Sequence, residues 1–482
     1  MIEDWVKCRF EDLLDYEQPT NYIVNSTEYD DSYETPVLTA GKSFIKGYTN
    51  EKDGVFDNLP TIIFDDFTTA SQFVNFKFKV KSSAMKILVP TSDLINMKFV
   101  YYAMQVNKVR SDTHKRYWIS IYSKKEIFIP SVNEQRAIVA KIEELLSDLD
   151  KGVADLKKAQ DQLKVYRQAV LKKAFEGELT KIWRDEQTDS PTSDELLTLI
   201  EEERQKHYEK QLENWKQELR AWEGNDKEVK KPGKPKEFKL LPELTEEELD
   251  EIATLPNGWK WIKNQNYLFE VKDGTHDTPK YQDTGIPFIT QKNIKNNSVS
   301  FSDFKYISEA DHNKFFKRSN VQKGDIIIAM IGHGRGNSCI VDTDKVFSIK
   351  NVGLFKFFNK IHNNRYCLHY YQSILGLNLA LNKSKGGAQP FIGLTELRNW
   401  PIPICSLEEQ HQIVQEIESR LSVCDKVEES ITESLEKAEA LRQSILKKAF
   451  EGNLLSNQEI EKCKTEPDYE TAAVLLEKIK NL

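Results

Sequence analysis

Hydrophobic residues recur with helical spacing over two long stretches of the chain, residues 131–177 and 406–452. In each stretch an apolar side chain returns every three or four residues, which places these side chains along one side of an α-helix. The first stripe runs Ile142, Leu146, Leu149, Val153, Leu156, Gln160, Leu163, Arg167, Val170 and Ala174, and the second runs Ile417, Leu421, Cys424, Glu428, Ile431, Leu435, Ala438, Arg442, Ile445 and Ala449. A helix of about 43 residues is roughly 65 Å long, which is longer than a small domain can cover. The pattern therefore predicts that the two helices pair with each other as a coiled coil, rather than each packing on its own domain.

The two stretches are copies of each other at a constant shift of 275 residues, because 22 of 51 aligned positions are identical between residues 129–179 and 404–454. The identities include the whole of LKKAFEG. An S-x-x-E pattern at Ser131 and Glu134, and again at Ser406 and Glu409, predicts a capping box at each helix start. Gly177 and Gly452 stand where a C-terminal helix glycine belongs. Arg167 and Arg442 share one stripe position, where an arginine either fixes the register or extends its charge to solvent.

The rest of each half predicts a globular part of mixed α and β structure. TIIFDDFTTA, FVNFKFKVK and GDIIIAMIG are typical of strands bounded by polar turns. KFVYYAMQVNKV and NRYCLHYYQSILGLNLAL are typical of amphipathic helices. Trp5 begins one half as Trp259 begins the other, and PVLT at 36–39 resembles PFIT at 287–290. The fold class expected is α+β, with two globular parts separated by long helices and related by an internal repeat.

Residues 181–258 differ in composition from both halves. A polar helix is predicted over 192–222, and EGNDKEVKKPGKPKEFK at 223–239 then predicts an exposed linker. A short acidic helix follows at 245–253. We expect this region to be a solvated spacer, and we expect the tail, residues 456–482, to contain one amphipathic helix over 471–480.

The net charge of −8 conceals an alternation of basic and acidic blocks. Residues 36–125 and 259–400 carry net charges of +7 and +9, whereas residues 129–258 and 401–482 carry −8 and −7. Local positive fields attract polyanions even when the whole chain is acidic, and ordinary patchiness is the alternative explanation.

No apolar run approaches the roughly 18–20 residues of a membrane helix, and the start MIEDWVKCRF lacks the features of a secretory signal. The six cysteines include no C-x-x-C pair, which argues against a zinc site and against a disulfide framework. These features favour a cytoplasmic protein.

Sequence signatures of enzymes are incomplete in this chain. AGKS at 40–43 lacks the first glycine of a phosphate-binding loop, because Pro36 stands there. GHGRGNS at 332–338 has the spacing G-x-G-x-G with no helix pattern after it, so a turn between strands is favoured over a cofactor loop. We find no [ND]-P-P-[YF], PD…(D/E)xK or HExxH pattern, and Asp65-Asp66 is more typical of a turn cap. The sequence predicts no catalytic and no metal-binding residue.

Binding remains. Lysine and arginine neutralise phosphates, while glutamine, asparagine, histidine and arginine can hydrogen-bond to base edges. Loops with this composition occur in both basic blocks, although each loop taken singly is also typical of an ordinary surface loop. The residues predicted to bind DNA are Thr39, Lys42, Lys46, Thr68, Thr69, Lys115 and Arg116 in the first block, and Thr275, His276, Thr278, Lys280, Tyr281, Gln291, Lys292, Asn293, His333, Arg335, Lys385 and Gln389 in the second.

With these motifs in place, the sequence resembles the specificity subunits of type I restriction–modification systems over nearly its whole length. The resemblance is carried by IFIPSVNEQRAIV and IPICSLEEQHQIV, by the paired RQ-x-x-LKKAFEG-x-L ends, and by DGTHDTPKYQDTGIPFITQKNI, GDIIIAMIG and GGAQPFIGLTELRNWPIPI. The segment 181–258 is longer than the family's minimal linker, and the first block lacks a GTH-type loop.

The resemblance implies a set of domains. Residues 1–128 and 259–400 would be target recognition domains, each reading one half of a bipartite asymmetric DNA site. Residues 129–180 and 401–455 would be conserved helical regions that form an antiparallel coiled coil and set the unread spacer. The residues assigned to the coiled coil and to partner docking are Gln135, Ile142, Leu149, Leu156, Arg167, Phe175, Gln410, Ile417, Ile431, Arg442 and Phe450.

The resemblance also implies partners. The helices would dock two modification subunits, which bind S-adenosylmethionine and methylate adenine, and restriction subunits that use ATP and Mg²⁺ would join them. The chain itself would bind no cofactor and catalyse no reaction. Three alternatives are the recognition arm of a single-polypeptide or differently organised enzyme, the recognition subunit of a methylation-only defence system, and a coiled-coil scaffold with two protein-binding heads.

Overall fold

The computed structural model describes residues 4–41, 43–107, 116–187, 191–224, 230–295, 298–332, 334–358, 360–381 and 391–481. The chain divides into two compact units: unit 1 comprises Met1–Ala159 and Ser430–Leu482, and unit 2 comprises Gln160–Glu429. Each unit contains one globular part of mixed α and β structure together with a portion of both long helices, so the predicted fold class is confirmed.

The globular part of unit 1 consists of short strands around an aromatic core. The strands are β1 (Val6–Arg9), β2 (Leu14–Glu17), β3 (Thr35–Leu38), β4 (Ile45–Thr49), β5 (Thr61–Asp65), β6 (Ser71–Val74), β7 (Lys79–Val80), β8 (Met85–Pro90) and β9 (Glu126–Ile129). They form a four-stranded sheet β2-β8-β5-β6, a three-stranded sheet β4-β3-β7 and the antiparallel pair β1-β9. Helices α1 (Phe10–Leu13) and α2 (Met97–Val106) and a π-helical turn at Trp118–Tyr122 complete this part.

A long helix, α3 (Val132–Phe175), follows β9 directly. After it come α4 (Lys181–Glu186), α5 (Ser193–Gly224) and α6 (Glu246–Asp250), close to the helices predicted for the charged segment.

The globular part of unit 2 repeats the plan of the first. Its strands are β10 (Lys260–Lys263), β11 (Glu270–Asp273), β12 (Ile286–Ile289), β13 (Ile294–Lys295), β14 (Ser298–Val299), β15 (Lys305–Ile307), β16 (Ile326–Ala329), β17 (Ser338–Ile340), β18 (Ser348–Ile349), β19 (Val352–Lys356) and β20 (Pro401–Ile404). They form the sheets β11-β19-β16-β17 and β15-β12-β18 and the antiparallel pairs β13-β14 and β10-β20. The helices are α7 (Asn264–Tyr267), α8 (Glu309–Ser319), α9 (Asn364–Gln372), α10 (Ile374–Leu381) and α11 (Leu394–Asn399), and a 3-10 turn spans Gln291–Asn293.

The second long helix, α12 (Leu407–Phe450), follows β20 as α3 follows β9, and α13 (Asn457–Lys464) and α14 (Ala472–Lys480) come after it. In both long helices every predicted stripe position is buried or half-buried. In unit 1, Ile142 and Leu146 of α3 share one core with Ile445 and Ala449 of α12. In unit 2, later residues of α3 share a core with earlier residues of α12, so the helices run antiparallel.

Each long helix ends at its predicted glycine. Gly177 has a φ of 74° and Gly452 a φ of 72°, the left-handed conformation that glycine adopts without steric cost. A Cβ on Gly177 would also lie 2.3 Å from Pro256. The glycines therefore stop the helices where the chain must turn.

In each unit, a helix that follows one of the long helices also contributes to the core. At the start of α5, Leu196 and Ile200 are buried in the core of unit 2. On α14, Leu475 and Ile479 are buried in the core of unit 1 with the same four-residue spacing. The region 181–258 is therefore integrated into unit 2 at its start, rather than being solvated throughout. No helix in the part of the chain that the structure describes is both long and apolar enough to cross a membrane.

Candidate nucleic-acid interface

Asp273, the last residue of β11, organises the loop DGTH in unit 2. Its buried carboxylate accepts two hydrogen bonds from Arg318, at 3.0 Å from Nε and 2.6 Å from Nη2. The other carboxylate oxygen lies 3.0 Å from Nε2 of His276, and Nδ1 of the same ring lies 2.8 Å from the Asn351 side-chain oxygen. Both ring nitrogens of the exposed His276 side chain therefore have a partner, which fixes the orientation of the ring.

Gly274 lets the loop approach the neighbouring backbone, because an added Cβ would lie 2.3 Å from the Ile349 carbonyl oxygen. Thr275 is buried and its hydroxyl accepts from the Asp277 amide, so it shapes the turn. Thr278 is exposed and accepts a hydrogen bond from Lys350. Lys280 and Tyr281 are also exposed. The loop therefore combines a closely packed backbone with exposed polar side chains.

Gln291 and Asn293, only two residues apart, have opposite environments. The Asn293 side chain is buried, accepts from the Thr290 amide at 3.0 Å and donates to the carbonyl oxygens of Ser300 and Ser302, both at 3.1 Å. The side-chain amide of Asn293 therefore stabilises the loop that contains it. By contrast, Oε1 of Gln291 is buried with no hydrogen-bond partner in the described part of the chain. Lys292, between them, is exposed.

The GHGRGNS segment is a turn between β16 and β17, which pair antiparallel, so the prediction of a turn rather than a cofactor loop is confirmed. Nη1 of Arg335 donates to the Gly332 carbonyl at 3.3 Å, and its Nε is buried without a partner among the described residues. A Cβ on Gly332 would lie 3.6 Å from the Gln291 amide nitrogen. The structure thus brings Gln291 and Arg335 to the same turn.

Two predicted loops of unit 1 also meet. A cavity of about 210 Å³ is lined by Gly41 from one loop and by Thr69 and Gln72 from the other. The Thr39 hydroxyl donates to the Ser43 carbonyl at 3.0 Å, and Thr69 is buried with a φ of 58°. These threonines hold their turns, whereas Lys46, Thr68 and Arg116, the other residues predicted for this block that the structure describes, are exposed.

The carboxylate pair beside this cavity is used internally. Asp65 accepts from the amides of Phe67 and Thr68 at 2.8 and 2.9 Å, as expected of a turn cap. Asp66 accepts from the Trp118 amide at 2.9 Å and lies 4.0 Å from Lys86, whose pKa is lowered by burial. Lys42, Lys115, His333, Lys385 and Gln389 lie outside the described residues. Within the described residues, no group of three or more His, Cys, Asp or Glu side chains could hold a metal ion.

Comparison with known proteins places this architecture. A family model described as a type I restriction modification DNA specificity domain matches residues 256–437. The specificity subunit of the type I restriction enzyme EcoR124I/EcoR124II from Escherichia coli is 42% identical over 172 residues, which cover 33% of this chain and 43% of the relative. The EcoBI specificity subunit from Escherichia coli is 27% identical over 353 residues, which cover 73% of this chain and 63% of the relative. The chain is therefore similar to type I specificity subunits, and the family model matches it over the second globular part and the start of the second long helix.

The fold agrees over almost the whole chain. A solved structure from work on complex assembly and conformational transition of the type I R-M system has a TM-score of 0.58 and 15% sequence identity, and covers 94% of this chain and 98% of that one. The alignments to the first two curated relatives span less than two thirds of those proteins, at 43% and 63%.

The capping boxes predicted for the two long helices are only half correct. The Ser131 and Ser406 hydroxyls accept from the amides of Glu134 and Glu409, at 3.3 and 3.2 Å, as predicted. The glutamate side chains, however, do not return to the serine backbone. Glu134 instead accepts from the Trp5 indole at 2.8 Å, and burial raises the pKa of its carboxyl.

Glu409 forms the same contact in unit 2 and adds two more. Its carboxylate accepts from the Trp259 indole at 2.9 Å, from the Thr180 hydroxyl at 2.8 Å and from Nε of Arg184 at 2.9 Å. The S-x-x-E pattern does not predict these contacts, because the side chains that donate to Glu409 are more than a hundred residues away in the sequence. The signal available in the sequence was the tryptophan that begins each half.

The residues assigned to partner docking and the coiled coil occupy three environments. Gln135 and Gln410 are buried, and each donates at 3.0 Å to the carbonyl of the residue that directly follows the preceding strand, Pro130 or Cys405. Phe175 packs on Tyr366 and Tyr370, and Phe450 packs on Phe99, so they join helix ends to globular parts. Ile142, Leu149, Leu156, Ile417 and Ile431 form the buried or half-buried seam, and Arg167 and Arg442 form ion pairs across it.

Sequence reasoning did not identify Asp273, Arg318, Lys350 and Asn351, which hold the DGTH loop in place. An aspartate three residues before a histidine was visible, but nothing in the sequence near Arg318 or Asn351 indicated that they meet it.

Proposed function

We propose that this chain gives a type I restriction–modification complex its DNA sequence specificity. The observation that supports this most directly is that the fixed DGTH loop and the Gln291–Arg335 turn both lie within residues 256–437, which the specificity-domain family model matches. Polar side chains fixed by buried partners are suited to hydrogen-bonding base edges, and the basic balance of the block suits phosphate contacts.

In this proposal residues 1–128 and 259–400 are target recognition domains, and each reads one half-site. Residues 129–180 and 401–455 are the helical regions, 181–258 is the connecting segment, and 456–482 is the tail. His276, Thr278, Gln291 and Arg335 are the leading candidates for base contacts. Thr275 and Asn293 position the loops from behind.

The long helices set the unread spacer in this proposal. Each has 44 residues, follows the last strand of a globular part and pairs antiparallel with the other. Lengthening both by about one turn would lengthen the spacer while preserving both half-sites. An unchanged spacer in that variant would contradict this role.

The partners in this proposal are those implied by the similarity to type I specificity subunits. The helices dock two modification subunits that supply S-adenosylmethionine and methylate adenine, and restriction subunits supply ATP-dependent translocation and cleavage with Mg²⁺. The chain contributes recognition rather than catalysis, and the complex works on DNA in the cytoplasm.

A binding experiment separates this function from that of a protein scaffold. The chain, purified with its modification partner, is titrated with duplex DNA over a series of salt concentrations. We expect the logarithm of the affinity to fall linearly with the logarithm of salt, because phosphate contacts release counterions. Binding that is absent or insensitive to salt would favour a scaffold with two protein-binding heads and contradict the proposal.

A further inference from the structure

The segment that follows α5 is an extended strip packed on a three-residue period. Pro232, Pro235, Phe238, Leu241 and Leu244 are half-buried, whereas most residues between them are exposed. A period of three is that of a polyproline II helix, which presents every third side chain to one side. This part of the chain therefore has an inner side that packs on the protein, whereas its composition predicts an exposed linker.

Named contacts hold the inner side in place. The Trp215 indole of α5 donates to the Pro232 carbonyl at 3.1 Å. Further along, the guanidinium of Arg204 lies 4.1 Å from the centre of the Phe238 ring. Leu241 exchanges two hydrogen bonds with the Asn266 side chain, at 2.8 and 2.9 Å.

Arg204 also attaches α5 to the second globular part. Its Nη2 donates to the carbonyl oxygens of Asn266 and Leu268 at 2.8 and 2.7 Å, and more weakly to that of Gln265 at 3.3 Å. Burial lowers the pKa of this arginine to about 10. The strip and the second target recognition domain are therefore joined within one unit.

The outer side of the strip is basic. Lys230, Lys231, Lys234, Lys236 and Lys239 are all exposed, and Glu237 is the single acidic residue between 230 and 239. None of the five lysines forms an ion pair with another described residue, although Lys231 lies 5.7 Å from the Trp222 ring. By contrast, Lys206 on α5 is paired with Glu203 at 2.9 Å.

We propose that the five lysines of this strip bind the phosphate backbone of DNA that flanks the half-site read by residues 259–400. The proposal rests on the proposed function and adds a contact that carries no sequence information. At about 3.1 Å per residue the strip spans about 28 Å, comparable to roughly eight base pairs at 3.4 Å. Unpaired lysines spread over such a length match a regularly spaced row of phosphates.

The chemistry of the strip favours DNA over a protein partner. Protein interfaces are depleted in lysine at their centres and rely on buried aromatic and apolar anchors. Between residues 230 and 239 the apolar side chains Pro232, Pro235 and Phe238 already face inward. The exposed side of the strip therefore offers a partner mainly lysine charges. Such charges can bind phosphates, but they do not provide the apolar anchors of a protein interface.

The test uses the complex with modification subunits and the variant K230Q/K234Q/K236Q/K239Q. Lys231 is left unchanged because it contacts Trp222. Two duplexes are compared over a salt series, one ending at the bipartite site and one extended by about 20 base pairs on each side. On the long duplex we expect the variant to lose up to about 3.6 units of the log–log salt slope, at about 0.9 per phosphate contact. On the short duplex the slopes should agree.

The matched control is K206Q/K210Q/K216Q/R220Q, which removes the same charge from exposed positions of α5. It should retain the wild-type slope on both duplexes. A strip variant with an unchanged slope on the long duplex would overturn the proposal. So would a strip variant that binds its modification subunit more weakly while keeping the slope, since the strip would then be a protein-docking surface. If the wild-type complex itself binds DNA without salt dependence, the proposed function fails and the strip proposal fails with it.

Discussion

Arg167 donates a hydrogen bond to Asp425 at 2.7 Å, and its repeat counterpart Arg442 donates to Asp150, the counterpart of Asp425. Each partner is shifted by the same 275 residues, so the two ion pairs are equivalent contacts across an antiparallel seam. Arg167 also donates to Glu428 at 2.9 Å. The two arginines therefore pair with oppositely charged groups at equivalent positions, and whether these pairs fix the register is tested by the following experiment.

We expect a double-mutant cycle to show coupling in both copies. R167D alone places three carboxylates together and should destabilise the chain, and R167D/D425R should recover part of the loss. Because these pairs are partly exposed, a coupling of about 0.5–1 kcal/mol is expected from urea unfolding. R442D/D150R provides the matched cycle in unit 1. Coupling in only one copy would contradict the equivalence of the two pairs.

The two glutamates at the helix starts should differ in importance. Glu409 accepts from three side chains, including the Arg184 guanidinium, whereas Glu134 accepts from one indole. E409Q should lower the free energy of unfolding by about 2 kcal/mol, because the half-buried Arg184 guanidinium loses its carboxylate. E134Q retains an acceptor for Trp5 and should cost under about 1 kcal/mol. Equal losses in thermal or urea unfolding would show that the extra donors contribute nothing.

Gln291 and Asn293 should separate recognition from stability. Q291A removes a buried acceptor that has no partner among the described residues, so we expect unchanged stability. Its modification complex should tolerate other bases at one position of a half-site, a loss of about 1–3 kcal/mol in discrimination. N293A should instead destabilise the chain, since its amide bonds the loop at several points. Base preference is measured as affinity for a duplex library randomised in each half-site, and stability is measured by urea unfolding of both variants. An unaltered base preference in Q291A would show that Gln291 does not contact a base.

His362 should make unit 2 sensitive to acid. Its Nδ1 accepts from the Phe358 amide at 3.0 Å and its Nε2 donates to the Tyr267 carbonyl at 2.8 Å, an arrangement that needs the neutral ring. Burial lowers the pKa of His362 to about 4. The unfolded chain takes up this proton near pH 6.5, so stability is lost as the pH falls from about 6.5 to about 4. The free energy of unfolding of H362Q, measured by urea unfolding at a series of pH values, should depend less on pH between about 6.5 and about 4 than that of the wild type. If the variant and the wild type lose stability equally over this range, His362 is not the cause.

The long helices could be predicted because their determinants are local. The stripe spacing, the serine caps and Gly177 and Gly452 each act within a few residues, and the structure places all of them as expected. The glutamate contacts could not be predicted in the same way, because Trp5 and Glu134 are 129 residues apart. The packing of the extended strip on α5 was missed for a different reason: a three-residue period among prolines resembles an unstructured linker in composition.

The candidate site was predictable in its loops but not in its contacts. The residues predicted to bind DNA between Thr275 and Tyr281 and between Gln291 and Asn293 do lie in turns that follow strands. The composition of these loops did not distinguish Gln291, with its unbonded oxygen, from Asn293, whose amide bonds its own loop. That difference depends on the carbonyl groups that the fold directs toward each side chain, which only the three-dimensional structure gives.

The central claim, that this chain specifies the DNA sequence to be modified, is tested most directly by methylome sequencing of a host strain with and without the chain, its modification partner being present. Loss of one bipartite N6-methyladenine motif on deletion, restored by the intact chain, is the predicted result and would supply both half-sites. Restoration with Q291A should relax only one half-site. A methylome that is the same with and without the chain, in cells where the modification complex is assembled, would contradict the account.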